Sequence, residues 1–183
     1  MIDLNKQFRF ALSKALNATA KLAQTATKKA IQSSFTIRGN WLNSAIGPKV
    51  LFATKDDLSA AVVMKGDFLN LQETGGIKLP SGRFLAVPTG NVRRTKRDII
   101  ARSNRPKNLR NTFIITGKSG RKLIAQRTGR GKKKTVKIMY VLIPQAEIDK
   151  TPTFTVAVPK TFEKEFSGVF FEELKRALAT AKR

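Results

Sequence analysis

The sequence predicts an α+β fold: a long N-terminal helix, a small antiparallel β-sheet with a basic loop insertion, and a C-terminal helix packed on the sheet. Apolar residues recur at helical spacing near both ends of the 183-residue chain. Short β-branched runs separated by glycine-containing turns occupy the middle. A hydrophobic content of 41% suffices for one core, so we expect a single domain over residues 1–183.

The first predicted element is an amphipathic helix from Leu4 to about Gln32, with Asp3 as its N-cap. Its residues include the alanine-rich segment ALNATAKLAQTATKKA, which permits close approach of a second element. The expected core-facing positions recur every three to six residues: Leu4, Phe8, Leu12, Leu16, Leu22 or Ala23, Ala26 and Ala30.

Shorter elements follow the first helix. We expect a short helix over Trp41 to Ile46, which the Gly47-Pro48 pair ends, and a strand over Leu58 to Met64. The segment FLNLQETGG predicts a short amphipathic helix, and its Gly75-Gly76 pair predicts a turn with backbone angles that other residues seldom adopt. The segment GRFLAVP predicts another short strand.

Positive charge is concentrated in one part of the chain. Of 36 Lys and Arg residues, 17 lie between Arg93 and Lys137, together with the single acid Asp98, so this stretch carries +16 of the formal +24. Such an excess favours a polyanionic partner, and phosphate neutralisation gives sequence-independent, salt-sensitive affinity for nucleic acid.

Residues 92–110 form the most basic part without a clear element. Their sequence, VRRTKRDIIARSNRPKNLR, has few apolar residues to bury. We therefore expect a basic mobile loop or arm that becomes ordered against a partner.

Three runs after this loop predict an antiparallel meander: Thr112–Thr116, Lys122–Arg127 and Thr135–Ile143. GKSG and GRGKKK are the turns between them. Neither fits the Gly-rich phosphate loop, which needs a Gly-Lys-Ser/Thr ending between a strand and a helix, so basic hairpin tips are the better interpretation.

The C-terminal part predicts a short extended segment and then a helix. Pro152 and Pro159 bracket the extended segment PTFTVAVPK. The helix FEKEFSGVFFEELKRALATAKR has acids near its start and bases near its end, as the helix dipole favours. Its expected apolar face comprises Phe162, Phe166, Val169 or Phe170, Leu174, and Ala177 or Leu178.

The residues offer little for catalysis. The chain has no Cys and no His, which excludes disulfides and the common zinc modules. Its acids show no metal-ligand spacing, and no serine or threonine has a supporting base motif. We expect no enzymatic activity and no cofactor.

The order of these segments resembles the minor tail protein Z family, the tail completion proteins of long-tailed double-stranded DNA bacteriophages. The resemblance rests on ALNATA in an opening helix, FLNLQETGG, GRFLAVP, the basic middle, MYVLIP and the closing FEKEFSGVFFEELKRAL. It spans nearly the whole chain without a catalytic signature.

This resemblance implies a structural virion protein of the neck or upper tail, assembled in the host cytoplasm and needed for head–tail joining. It implies a homo-oligomer, a hexameric ring around the DNA channel, with tail terminator, tail tube, tape-measure or head connector proteins as neighbours and no membrane partner. A cellular nucleic-acid-binding protein of ribosomal or nucleoid type is the alternative class.

The expected contact residues are basic side chains of the middle segment, and two partners stay open for them: double-stranded DNA without sequence specificity, or acidic surfaces of neck proteins. They are Arg93, Arg94, Lys96, Arg97, Arg102, Arg105, Lys107, Arg110, Arg130, Lys132, Lys133 and Lys134. For Glu73, Gly75 and Gly76, the alternatives are a structural turn and a subunit contact.

Overall fold

The computed structural model describes residues 4–44, 47–65, 67–129 and 134–181. The chain divides into two compact units. The helical unit comprises Met1–Thr74 and Lys150–Arg183, and the sheet unit comprises Gly75–Asp149. The sequence predicts one domain. In the structure, the chain passes from one compact unit to the other twice, at residues 74–75 and at residues 149–150.

The helical unit contains three helices and a two-stranded sheet among its described residues. They are α1 (Leu4–Ser34), a single 3-10 turn (Trp41–Asn43), β1 (Lys49–Leu51), β2 (Ala61–Val63), α2 (Asp67–Thr74) and α3 (Phe154–Thr180). The predictions of α1 and α2 are confirmed. The predicted short helix is only the 3-10 turn within the described residues, and the predicted strand over Leu58 to Met64 shortens to β2. Asp3, Ala45 and Ile46 lie outside the described residues.

The face that α1 buries differs from the predicted one except at Ala23, the alternative to Leu22, which is buried. Leu4 is 66% exposed, and Phe8 and Leu22 are nearly half exposed, whereas small residues at a spacing of four are buried. These are Ala11, Ala15, Thr19, Ala23 and Thr27, followed by Ile31. Their shortness explains the difference, because α1 packs along α3 and small side chains allow two helix backbones to approach closely.

The α+β prediction is confirmed, with the C-terminal helix packed on a small antiparallel sheet. Ala20 and Ala23 of α1 and Val62 of β2 form a buried cluster, against which Phe154 and Val158 of α3 pack. At the other end of α3, the Phe170 ring meets the Phe8 ring edge-on at 5.5 Å. The two long helices therefore run antiparallel.

The predicted extended segment between Pro152 and Pro159 is wrong, because α3 begins at Phe154 and includes Pro159. A proline inside a helix lacks the N–H that would bond four residues back and costs about 3 kcal/mol. Burial of Phe154 and Val158 against the cluster offsets this cost. The backbone at the start of α3 is also bound by a carboxylate from α2, described below.

The sheet unit contains a four-stranded antiparallel sheet with the order β4-β7-β6-β5. Its strands are β4 (Leu85–Pro88), β5 (Thr112–Thr116), β6 (Lys122–Thr128) and β7 (Thr135–Ile143), and the short strands β3 (Gly76–Lys78) and β8 (Ala146–Ile148) pair separately. The predicted meander of β5, β6 and β7 is confirmed, with a register irregularity at Ile124/Ala125. The predicted GKSG turn closes through the Gly117 N–H and the Arg121 carbonyl, at 2.8 Å.

Candidate functional site

The basic segment lies entirely within the sheet unit. Each predicted contact residue that the structure describes has an exposed side chain: Arg93, Arg94, Lys96, Arg97, Arg102, Arg105, Lys107, Arg110 and Lys134. Arg130, Lys132 and Lys133, which follow β6 in the sequence, lie outside the described residues. The cations of residues 93–110 are thus brought together on one folded loop, which we call the basic loop (residues 92–110).

The first half of the basic loop is a tight hairpin. Arg94 and Ile100 form an antiparallel bridge, and the Asp98 N–H donates to the Thr95 carbonyl at 2.9 Å. Asp98 has the positive φ of 57° that this turn requires, a conformation that Asp tolerates better than most residues. Lys96 and Arg97 therefore occupy the hairpin tip.

One acid interrupts the positive charge of this hairpin. Asp98 Oδ1 lies 3.3 Å from an Arg94 guanidinium nitrogen, and both side chains are substantially exposed. An exposed pair of this kind contributes at most about 1 kcal/mol. Arg94 thus has a local structural contact, which distinguishes it from its neighbours as a target for substitution.

Amide side chains fix the basic loop by binding backbone carbonyls of its arginines. Asn104 donates to the Arg93 carbonyl at 2.9 Å, and Asn108 donates to the Arg102 carbonyl at 2.7 Å. Gln126 of β6 donates to the Arg110 carbonyl at 3.0 Å. These bonds use the arginine backbones and leave their exposed guanidinium groups outside the bonding that shapes the loop.

Apolar residues anchor the basic loop to the sheet. Val92 is 3% exposed and forms a buried cluster with Met139 and Tyr140 of β7. Ile100 and Leu109 pack against the same cluster. The loop therefore buries more than its composition predicts, because Val92, Ile100 and Leu109 all reach the same buried cluster. Its mobility stays a prediction.

Tyr140 connects the sheet to the loop by a hydrogen bond. Its hydroxyl donates to the Asn104 carbonyl at 2.6 Å, and the residue is 1% exposed. Burial raises the pKa of Tyr140 above 10.0, and the nearby Arg94 charge opposes this only partly. Tyr140 therefore stays protonated, and able to donate, throughout the neutral range.

Further cations lie on β6 and β7 and in the turn between β5 and β6, and they were not among the predicted contact residues. Lys118, Arg121, Lys122, Arg127 and Lys137 are exposed. The Arg127 guanidinium lies 4.9 Å from the centre of the Phe113 ring, a distance at which cation–π attraction operates. The concentration of positive charge between Arg93 and Lys137 was the signal that could have identified these residues, since unpaired charges are rarely buried.

Glu73 lies in the helical unit and binds within its own chain. Its carboxylate accepts hydrogen bonds from the N–H groups of Thr153 and Phe154, at 2.8 and 2.7 Å, and from the hydroxyls of Thr153 and Thr155. This geometry supports the structural interpretation of Glu73. Gly75 and Gly76 adopt positive φ values of 71° and 134°, as the turn prediction requires, and a subunit contact there stays a prediction.

Burial and hydrogen bonding act on Glu73 in opposite directions. Burial alone raises its pKa, but the bonds from Thr153, Phe154 and Thr155 outweigh burial and lower the pKa from 4.5 to about 2. The carboxylate is therefore ionised at neutral pH, when it binds the positive N-terminal end of α3.

Two other kinds of site, a membrane-spanning helix and a metal cluster, are absent from the described ranges. None of the described helices is both long and apolar enough to cross a membrane. Over residues 4–44, 47–65, 67–129 and 134–181, no three acids, cysteines or histidines come together as metal ligands.

Comparisons with known proteins identify no relative. No protein-family model matches the chain, no curated protein matches it, and no solved structure matches it.

Proposed function

We propose that this chain is a structural virion protein of the phage neck or head-proximal tail end, acting in tail completion and head–tail joining. Two things support the proposal: the resemblance of its segments to the minor tail protein Z family, and the display of exposed cations on the basic loop. The exposed cations are the stronger support for the proposal. Hydrogen bonds from Asn104, Asn108 and Tyr140 to backbone carbonyls hold the loop, and these bonds do not use its positive side chains.

Sequence-independent attraction to phosphate suits a channel through which any genome segment must pass. Lys and Arg side chains that neutralise phosphates release counterions, which gives affinity without base reading. A ring of six subunits, each with the +16 of the basic segment, would bring about a hundred positive charges around one axis. Exposed side chains on a narrow loop favour weak, distributed contacts, which DNA can slide past.

The salt dependence of DNA binding tests the phosphate contacts. We expect two unrelated 30-base-pair duplexes to bind equally well, with a log affinity that falls steeply and linearly with log salt concentration. Replacing Arg93, Lys96 and Arg97 with Gln should reduce the slope by about 2.7 if each side chain contacts one phosphate. Arg94 is left unchanged because of its contact with Asp98.

A matched variant changes the same charge elsewhere. Lys49, Lys65 and Lys150 are exposed lysines of the helical unit, and their replacement with Gln should leave the slope nearly unchanged. A flat slope for the unmodified protein, or equal losses in the two triple variants, would contradict DNA contact by the basic loop. Docking on acidic neck proteins would then be the remaining use of these cations.

The virion assignment has a separate test. Purified protein should form a ring-sized oligomer by sedimentation, and antibodies should detect it at the head–tail junction of purified virions. A protein that stays monomeric at all concentrations and salts, and is absent from virions, contradicts the tail-completion proposal. Salt-sensitive DNA binding by such a protein would favour the cellular nucleic-acid-binding class.

A further inference from the structure

A groove of about 590 Å³ lies between α1 and α3, lined only by residues of the helical unit. Its α1 wall includes Leu22, Ala26 and Ala30, and its α3 wall includes Val156 and Ala157. Leu22 is 43% exposed and Val156 is 53% exposed. Two branched apolar side chains therefore border a concave surface and are exposed on it.

The sequence explains why the two helices leave this groove. The stripe that α1 buries runs through Ala23 and Thr27, and the neighbouring stripe at Leu22, Ala26 and Ala30 is displaced by one residue, beside the helix–helix contact. Alanine at two of these three positions is too short to fill the space above that contact. The groove follows α1 over residues 22–30, a length of about 12 Å at 1.5 Å per residue.

The rim of the groove is positively charged. Lys29, Lys160 and Lys164 line it together with one acid, Glu165. Glu165 Oε1 lies 3.0 Å from Lys164 Nζ, so this acid already has a partner on its own helix. Lys29 and Lys160 then flank the apolar floor as exposed cations on opposite walls.

We infer that this groove binds an amphipathic helix of an acidic partner protein, with apolar residues at spacings of three and four inserted between α1 and α3 and carboxylates beside Lys29 and Lys160. Two antiparallel helices with an apolar trough present the surface that a third helix occupies in a bundle. The positive rim selects acidic flanks, and the +24 charge of the chain steers an acidic partner and repels a second copy.

The probe is a designed peptide of about 18 residues, long enough to become helical when bound. Leu occupies positions at spacings of three and four, and Glu flanks the Leu stripe. A scrambled peptide of the same composition has the same charge without the stripe, and a third peptide replaces Glu with Lys. We expect the striped acidic peptide to bind the full-length protein at least about tenfold more tightly than either control, as measured by fluorescence anisotropy.

Variants then locate the binding. Lys160→Glu and Val156→Glu should each weaken binding of the striped acidic peptide about tenfold. Val156 lies in the first turn of α3, where an acid favours the helix, and it is exposed, so folding should persist and circular dichroism checks this. Lys49→Glu makes the charge change of Lys160→Glu outside the groove and should have little effect.

Equal binding of the striped and scrambled peptides would overturn the inference, since charge alone would then account for the affinity. Equal losses in Lys160→Glu and Lys49→Glu would overturn it as well. The inference does not depend on the proposed function: the variant that replaces Arg93, Lys96 and Arg97 should bind the striped peptide as the unmodified protein does.

Discussion

The carboxylate of Glu73 accepts hydrogen bonds from both the N–H and the hydroxyl of Thr153, which lies 80 residues away in the sequence. Thr153 precedes α3, in the position from which a threonine side chain often caps its own helix, but no such side-chain bond forms here. An acid at the end of α2 supplies the cap instead. The start of the C-terminal helix therefore depends on a tertiary contact.

Glu73→Gln should lower the free energy of unfolding by about 2 kcal/mol, because hydrogen bonds to a charged acceptor and loss of a helix cap each have costs of this order. Urea unfolding followed by circular dichroism measures the change. Glu163→Gln, on the exposed surface of α3, is the matched control and should change stability by less than about 0.5 kcal/mol. Equal effects of the two substitutions would rule out capping by Glu73.

The same carboxylate makes stability depend on acidity. Because the pKa of Glu73 falls from 4.5 to about 2 on folding, the folded state binds its proton less readily than the unfolded state. Its stabilising contribution is present above pH 4.5 and is lost as pH falls from 4.5 towards 2. The difference in unfolding free energy between the unmodified protein and Glu73→Gln should therefore shrink over this interval. If this difference in unfolding free energy did not change with pH, the stabilising hydrogen bonds of Glu73 would not depend on its ionised form.

Tyr140→Phe should loosen the basic loop while leaving the sheet folded. The substitution keeps the buried ring and removes only the hydroxyl that donates to the Asn104 carbonyl, a loss of about 1 kcal/mol. Local opening should then rise about fivefold, which limited trypsin digestion detects as faster cleavage after Arg102 and Lys107. Cleavage after Lys175 in α3 is the internal reference, and a parallel rise there would indicate global destabilisation instead.

Thr19→Val should stabilise the protein by about 1 kcal/mol, because a buried hydroxyl without a partner costs desolvation energy and valine has nearly the same shape. Thr19 is 1% exposed, and its Oγ1 has no hydrogen-bond partner among the described residues. Thr27→Val is the matched comparison, since the Thr27 hydroxyl donates to the Ala23 carbonyl at 2.8 Å. Thermal unfolding should rank Thr19→Val above the unmodified protein and Thr27→Val no higher than it.

Local patterns were sufficient to predict the hairpins of the sheet unit. β5 matches its predicted bounds from Thr112 to Thr116, and β7 matches Thr135 to Ile143. In this part of the chain, strand alternation, β-branched residues and glycine turns all act between neighbouring residues. The exposure of the basic side chains was also predictable, because unpaired charges are rarely buried.

Contacts distant in sequence account for what the sequence did not predict. Which stripe α1 buries depends on how closely α3 approaches, and this distance favoured Ala15 and Thr19 over Leu12 and Leu16. Pro159 led to a wrong prediction of where the C-terminal helix begins. The start of α3 is stabilised by hydrogen bonds to Glu73, a residue distant in the sequence, so the local sequence does not indicate them. The basic loop is anchored where Val92, Ile100 and Leu109 pack near Tyr140. This contact could not be predicted from the loop sequence, because Tyr140 belongs to β7, which is distant in the sequence.

The side-chain hydrogen bonds of Asn104, Asn108 and Gln126 make the shape of the basic loop independent of its electrostatic potential. Each bond ends on an arginine carbonyl, a group that every amino acid has, so the fold places no demand on the side chains of Arg93, Arg102 and Arg110. The charge at each of these three positions can be kept, removed or reversed while the loop keeps its path. The positive charge of the loop is therefore adjustable in single-charge steps on a constant scaffold.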